Sequence, residues 1–202
     1  MNILTTDLPG VKIVEPKVFG DARGFFVETW QQRRYAEAGL GGTMVQDNMS
    51  RSVGNVLRGL HYQYPQPQGK LVYVIEGEIL DVAVDVRRGS PTFGQWVSVT
   101  LSAENKRQVF LPEGFAHGFY VVSPSALVAY KCTTPYEPKF DRGVRWDDPQ
   151  LSIEWPTSTP ILSAKDQALP LLRDISPDLL PRFETPEQAL APVQEVLAES
   201  PV

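Results

Sequence analysis

The chain has 202 residues with 19 Lys and Arg against 24 Asp and Glu, and it carries only 2 His and 1 Cys. That length suits one ordinary domain or a domain with an appendage. One cysteine excludes an internal disulfide and thiolate-based zinc or iron–sulfur sites, and two histidines exclude a three-His metal centre. A net charge of −5 argues against general affinity for nucleic acid or anionic membrane, while leaving room for a small anion held by a few local Arg and Lys.

The amino terminus, Met1-Asn2-Ile3-Leu4 with Asp7 close behind, lacks the basic region and apolar core of a signal peptide. No apolar run approaches the roughly 20 residues that span a bilayer, so a soluble cytoplasmic protein is expected. Asp21-Ala22-Arg23-Gly24-Phe25-Phe26-Val27-Glu28 and, further on, Gln46-Asp47-Asn48-Met49-Ser50-Arg51-Ser52 offer groups suited to a planar polar ligand. Arg suits phosphate, Glu, Gln and Asn suit base or sugar edges, and aromatics stack. A polar rim around a buried Phe pair fits these residues too. Between the two runs, 31–38 reads as a short helix ending at Gly39-Leu40-Gly41-Gly42.

Val56-Leu57-Arg58-Gly59-Leu60-His61-Tyr62-Gln63, then Gln68-Gly69-Lys70, puts Arg, His and Lys within a short strand-like span. Arg58 and His61 lie three residues apart, so a regular strand points them to opposite faces. To serve one pocket they need a bend or bulge, and Gly59 is the residue that permits it. An exposed Arg and Lys beside a structural His is the other reading of this span.

From residue 70 onward the pattern is that of short strands: 70–75, 80–86, 96–101, 108–111, 119–122 and 126–132. In Leu80-Asp81-Val82-Ala83-Val84-Asp85-Val86 the even positions are apolar, with Asp81 and Asp85 on the other face. Turn signals separate the strands at Glu76-Gly77-Glu78, Gly89-Ser90-Pro91, Pro112-Glu113-Gly114 and Ser123-Pro124-Ser125. Strands at this spacing without intervening helices predict an antiparallel sandwich or barrel, an all-β fold.

Gly114-Phe115-Ala116-His117-Gly118-Phe119 holds the second His, which taken alone reads as structural. His61 is followed by Tyr62-Gln63, so no His-x-His pair is present. A site built from His61, His117 and one acid stays open. In Tyr130-Lys131-Cys132-Thr133, Tyr130 alternates with Val128 and Cys132 and should face an enclosed interior, where a phenol needs a partner or a task. After about residue 170 the alternation stops and prolines punctuate the chain. Thr185-Pro186-Glu187-Gln188 could open a helix that Pro192 would interrupt. The expected division is a 1–170 domain with a 171–202 irregular C-terminal extension.

Taken together, these stretches resemble the dTDP-4-dehydrorhamnose 3,5-epimerase family. The resemblance is carried, in order, by Asp21-x-Arg23-Gly24-x-Phe26, Gln46-Asp47-Asn48-x-Ser50, the run 56–63, Gln68-Gly69-Lys70 and Arg88-Gly89-Ser90-Pro91-Thr92-Phe93-Gly94. It continues through the run 114–119, Tyr130-Lys131-Cys132-Thr133, Trp146-Asp147-Asp148-Pro149 and Leu162-Ser163-Ala164-Lys165-Asp166. It implies a metal-free cupin-type jelly roll with a few short helices, working as a homodimer with exchanged N-terminal strands, without cofactor, on a dTDP-4-keto-6-deoxyhexose.

The resemblance also implies roles. His61 would be the base, with Asp166 on its other ring nitrogen; Lys70 would stabilise the oxyanion on sugar carbon 4, and Tyr130 would be the acid across the ring. Arg23, Glu28, Gln46, Asn48 and Arg58 would meet diphosphate, sugar or thymine, with His117 and Lys165 as further contacts and Tyr136 stacking on the ligand. Arg23 and Glu28 would complete the site of the partner subunit. Three other readings stand beside this one: a mono-epimerase acting at carbon 3 or 5 alone, a non-catalytic nucleotide-sugar-binding jelly roll, and a metal-dependent cupin oxygenase.

Overall fold

The computed structural model describes residues 1–184, so the helix start at Thr185 lies outside the described residues. The chain forms two antiparallel sheets packed face to face. One holds six strands in the order β1 (Asn2–Thr5), β2 (Lys12–Glu15), β10 (Gln108–Leu111), β7 (Lys70–Glu76), β12 (Ser125–Cys132), β5 (Gln46–Val53). The other runs β13 (Asp141–Gly143), β6 (Leu57–Gln63), β11 (Phe115–Val121), β8 (Glu78–Asp85), β9 (Trp96–Ser102). A third piece, the hairpin β3 (Val18–Asp21) with β4 (Gly24–Val27), pairs only with itself among the described residues. This is the expected jelly roll. The helix read at 31–38 is α1 (Gln32–Glu37), whose first turn is capped by the Gln31 side chain accepting from the Arg34 N–H.

Alternation along each strand sorts side chains into three apolar layers. Val72, Val74, Val109, Val128, Ile79, Leu101, Phe119 and Val121 meet between the sheets. Val14, Leu71 and Phe110, on the outer face of the six-stranded sheet, lie under Tyr35 and Leu40 of α1 and the loop after it. Leu60, Tyr62, Val82, Val84 and Val86, on the outer face of the other sheet, are covered by Leu151, Leu172 and Leu180. Each fully buried side chain of this kind contributes about 1.5–3 kcal/mol.

The segment after residue 170 therefore takes part in the outer layer. Leu172 N–H donates to buried Asp148 (2.6 Å), Tyr62 OH donates to Leu179 O (3.1 Å), and Arg88 bridges to Arg182. Because β8 is covered on both faces, its two acids are buried, each answered by dedicated donors. Asp85 accepts from Arg87, Ser90 and Thr92, which accounts for the residues following β8. Asp81 turns inward to His117.

Candidate active site

The space between the sheets is apolar toward β9 and β2 and polar toward β5, β6 and β13. There it opens into a cavity of about 330 Å³. Along β5 the inward positions are Gln46, Asn48 and Ser50, the alternate residues of one face. Gln46 donates from Nε2 to Asn48 Oδ1 (2.9 Å), and its Oε1 accepts from the Tyr136 N–H (2.8 Å), which fixes the rim. Lys70 enters from the start of β7 and Tyr130 from β12, inward as the alternation with Val128 and Cys132 required.

Arg58 and His61 both line this cavity. The bulge that makes this possible is present: Arg58 stands opposite Phe119 but His61 opposite His117, three steps on β6 against two on β11. Gly59 has φ +116, in the left-handed region that favours glycine. Arg58 donates from Nε to Ser52 Oγ on β5 (3.0 Å), so it crosses from one sheet to the other.

Two His–carboxylate pairs face each other across β6 and β11. His61 Nε2 lies 2.6 Å from Asp166 Oδ1, and His117 Nε2 lies 2.7 Å from Asp81 Oδ2. Asp166 sits in the one-turn α2 (Ala164–Gln167), whose N-cap Ser163 accepts from the Asp166 N–H (3.1 Å). The turn is held beside β6 because Ile161 bridges Val56. Burial works against charging Asp166, but the bond to His61 and the His61 charge outweigh it and hold its carboxyl below the usual range. The pairing leaves Nδ1 as the His61 nitrogen without a carboxylate.

Desolvation pushes the Lys70 ammonium down, and burial pushes the Tyr130 phenol up. At the mouth, Asp141 on β13 accepts from Tyr136 OH (2.7 Å) and pairs with Lys165. Burial opposes the Asp141 charge, yet the bonds from Lys165 and Tyr136 hold its carboxyl below the usual range. The bond to Asp141, with burial second, carries the Tyr136 phenol up to about 12.

Of the twelve side chains expected at the site, the cavity gathers His61, Lys70, Tyr130, Asp166, Gln46, Asn48, Arg58, His117, Tyr136 and Lys165. Arg23 and Glu28 lie elsewhere in the chain. Arg23 stands at the hairpin tip paired with Asp21 (2.6 Å), and Glu28 pairs with Arg34. Sequence reasoning missed Asp81, Asp141, Ser50, Gln63 and Gln68 as cavity or supporting groups. Asp81 had a signal in an acid set within an apolar strand. Asp141 had none, since Lys139-Phe140-Asp141-Arg142 reads as an ordinary polar turn. Among the described residues no cluster of three or more His, Cys, Asp or Glu is arranged to hold a metal ion. His61 and His117 each have a carboxylate of their own.

A jelly roll whose enclosed cavity combines a carboxylate-paired imidazole, a desolvated ammonium and a buried phenol is equipped to move protons on and off carbon, the equipment of an isomerase. The family profile described as dTDP-4-dehydrorhamnose 3,5-epimerase matches residues 5–174, and the chain belongs to that family. It is 57% identical over 162 residues to the dTDP-4-dehydrorhamnose 3,5-epimerase of Pseudomonas aeruginosa, covering 79% of this chain and 90% of that one. The solved dTDP-6-deoxy-D-glucose-3,5-epimerase of Legionella pneumophila, in complex with dTDP-4-keto-L-rhamnose, is 56% identical. It superposes with a TM-score of 0.89, covering 91% of this chain and 99% of that chain. A dTDP-4-dehydrorhamnose 3-epimerase of Streptomyces niveus is more distant, 38% identical over 195 residues, 95% of this chain and 94% of its own.

Proposed function

We propose that this chain converts dTDP-4-dehydro-6-deoxyglucose to dTDP-4-dehydro-L-rhamnose by inverting sugar carbons 3 and 5. The observation that carries the reading is the His61–Asp166 pair in one cavity with Lys70 and Tyr130. The 4-ketone acidifies the hydrogens on both neighbouring carbons. In the gluco configuration these two hydrogens project from the same ring face, so one base can serve both. His61 takes the proton, and Asp166 holds the ring and stabilises the imidazolium that forms. Lys70 stabilises the enolate oxygen on carbon 4, and its desolvated ammonium makes that contact strong. Tyr130, kept protonated by burial, delivers a proton to the opposite face. The ketone itself activates both carbons, so the proposed steps call for no cofactor.

At the nucleotide end, Arg58, His117 and Lys165 supply positive or donor groups for diphosphate, Gln46 and Asn48 meet polar edges, and Tyr136 stacks at the mouth. Arg23 and Glu28 act in trans, in a homodimer that exchanges the β3–β4 hairpin. Two features support this. The hairpin bonds to no other strand among the described residues and exposes Phe19 (53%), Phe25 (60%) and Phe26 (68%). Among the described residues strand β5 is an unpaired sheet edge, with Met49 and Val53 exposed on it. The cytoplasm suits a chain whose cysteine, Cys132, is a free buried thiol. Among the described residues no helix is long and apolar enough to cross a membrane.

The test is turnover of the 4-keto sugar nucleotide in deuterated water, followed by mass and proton spectra of the sugar. Label at carbons 3 and 5 is the expected result. Label at one carbon makes the chain a mono-epimerase, and none at either overturns the enzymatic reading.

A further inference from the structure

The bulge in β6 depends on a close backbone crossing. A Cβ on Gly59 would stand 2.5 Å from Gly118 Cα and 2.7 Å from His117 O. A Cβ on Gly118 would in turn stand 2.7 Å from Arg58 O and 3.0 Å from Leu60 Cδ2. The nearest atoms are backbone, which cannot swing aside as a side-chain tip can. The two glycines answer different needs. Gly59 has the left-handed φ of +116. Gly118 lies in the regular ladder between β6 and β8, opposite Val82, so only the space around it calls for glycine.

We propose that Gly118 is a positioning residue for Arg58. Its missing side chain is the gap into which the extra residue of β6 settles, and that gap keeps Arg58 on the same cavity wall as His61. The inference rests on the reading of the cavity as a dTDP-sugar site with Arg58 at the diphosphate.

The two ends of the bulge are not equally free to move. His61 is bonded to Asp166, and its neighbour Leu60 exchanges both backbone hydrogen bonds with Val144 (3.2 and 2.9 Å). Beside Arg58, the Leu57 N–H donates to Ile161 O (3.0 Å), but among the described residues the Arg58 side chain itself is held by one bond, to Ser52, and has no carboxylate partner. A methyl group at 118 presses on the Arg58 carbonyl itself, so the displacement is expressed at Arg58 and the guanidinium leaves its place beside Ser52. Ligand affinity falls, while proton transfer at His61 is largely spared.

The experiment is a double-mutant cycle on the full chain with Gly118→Ala, Arg58→Ala and both together. Calorimetry gives the dissociation constant for dTDP, and exchange into deuterated water at saturating substrate gives the chemical rate. Losing one charge-assisted contact predicts dTDP binding weaker by about ten- to a hundredfold in each single variant. The double variant should bind no more weakly than Arg58→Ala, because the glycine acts through the arginine. The saturated exchange rate of Gly118→Ala should stay within about threefold of wild type, a split between binding and chemistry that general destabilisation does not produce.

Additive losses, or wild-type dTDP affinity in folded Gly118→Ala, overturn the proposal. Should Gly118→Ala not accumulate in soluble form, deleting Gly59 decides the matter. A straightened β6 must turn either Arg58 or His61 out of the cavity, so dTDP affinity or exchange is lost; retention of both overturns the inference. Wild-type protein that neither binds dTDP nor exchanges label is a different failure, that of the epimerase reading itself.

Discussion

Replacing Asp166 by Asn exchanges one carboxylate oxygen for an NH₂ group and tests the proposed chemistry most directly. The bond to His61 is short, 2.6 Å, and the carboxylate is buried while the ring is about a quarter exposed (28%). Hydrogen bonds to a charged group contribute about 1.5–3 kcal/mol. This one is strongest once the ring carries the sugar's proton, so its loss falls on the transition state. At about 1.4 kcal/mol per factor of ten, that alone slows proton abstraction by about ten- to 150-fold. An amide adds a second penalty. Its NH₂ can donate to Nε2, which places the ring proton on Nδ1, the nitrogen that must accept. The corresponding Asp-to-Asn change in a Ser-His-Asp triad lowers turnover by about 10⁴, so we expect a fall of about 10²–10⁴ in this chain.

The assay is deuterium incorporation at carbons 3 and 5 under saturating substrate, with dTDP affinity measured on the same preparation to show that the cavity is intact. Affinity should stay within about twofold of wild type, since the exchange alters chemistry at the sugar and leaves the nucleotide contacts in place. An Asn variant that exchanges within about threefold of wild type refutes the role given to the pair.

Three further outcomes follow from the same geometry. Tyr130→Phe should lose the epimerised product while proton abstraction, read as loss of substrate label, continues; full product formation in that variant removes Tyr130 as the acid. Phe25→Ser with Phe26→Ser should convert a dimer to monomer in sedimentation and lower turnover, because Arg23 no longer reaches its partner's cavity; a monomeric wild type would dispose of strand exchange. Stability should also fall in acid. Asp166, Asp141 and Asp85 are held below the usual carboxylate range because their hydrogen bonds outweigh burial. The unfolded chain therefore takes up protons first. The stabilisation is complete above the ordinary aspartate pKa and is lost as pH falls through the folded values. Urea midpoints should drop between neutral pH and about pH 3, and a flat profile would contradict the assignment.

What could be read from residue order was what depends on local periodicity. The alternation of β8 and β12, the α1 helix and its glycine-rich end all repeat within a few residues, as did the parity conflict between Arg58 and His61 that required a bulge at Gly59. What could not be read depends on which distant segment comes alongside. Asp81 looked like an outward acid because its partner, His117, lies 36 positions away on β11. Asp141 became a cavity residue only because β13 pairs with β6, opposite His61, Tyr62 and Gln63. The proline-rich stretch after 170 carries no strand signal, yet Leu172 and Leu180 close the outer face of a sheet. Arg23, at the tip of the β3–β4 hairpin, and Glu28, just after it, do not line the cavity that holds His61.

A net charge of −5 and an anionic nucleotide ligand are compatible because the cavity's own charges nearly balance. Arg58, Lys70 and Lys165 are set against Asp141 and Asp166 on its walls, with Asp81 behind His117. Each carboxylate has a partner: Lys165 for Asp141, His61 for Asp166, His117 for Asp81. Arg58 and Lys70 have no carboxylate within ion-pair distance among the described residues. On the proposed reading they face the ligand, Arg58 toward the diphosphate and Lys70 toward the developing enolate. A diphosphate held by Arg58, His117 and Lys165 together then fixes the sugar against His61, so binding energy at the nucleotide end goes into orienting the reacting carbon. On this arrangement the nucleotide serves as more than a handle. Removing the diphosphate should lower the exchange rate at saturation as well as the affinity; equal saturated rates for dTDP-sugar and free 4-keto sugar would refute that coupling.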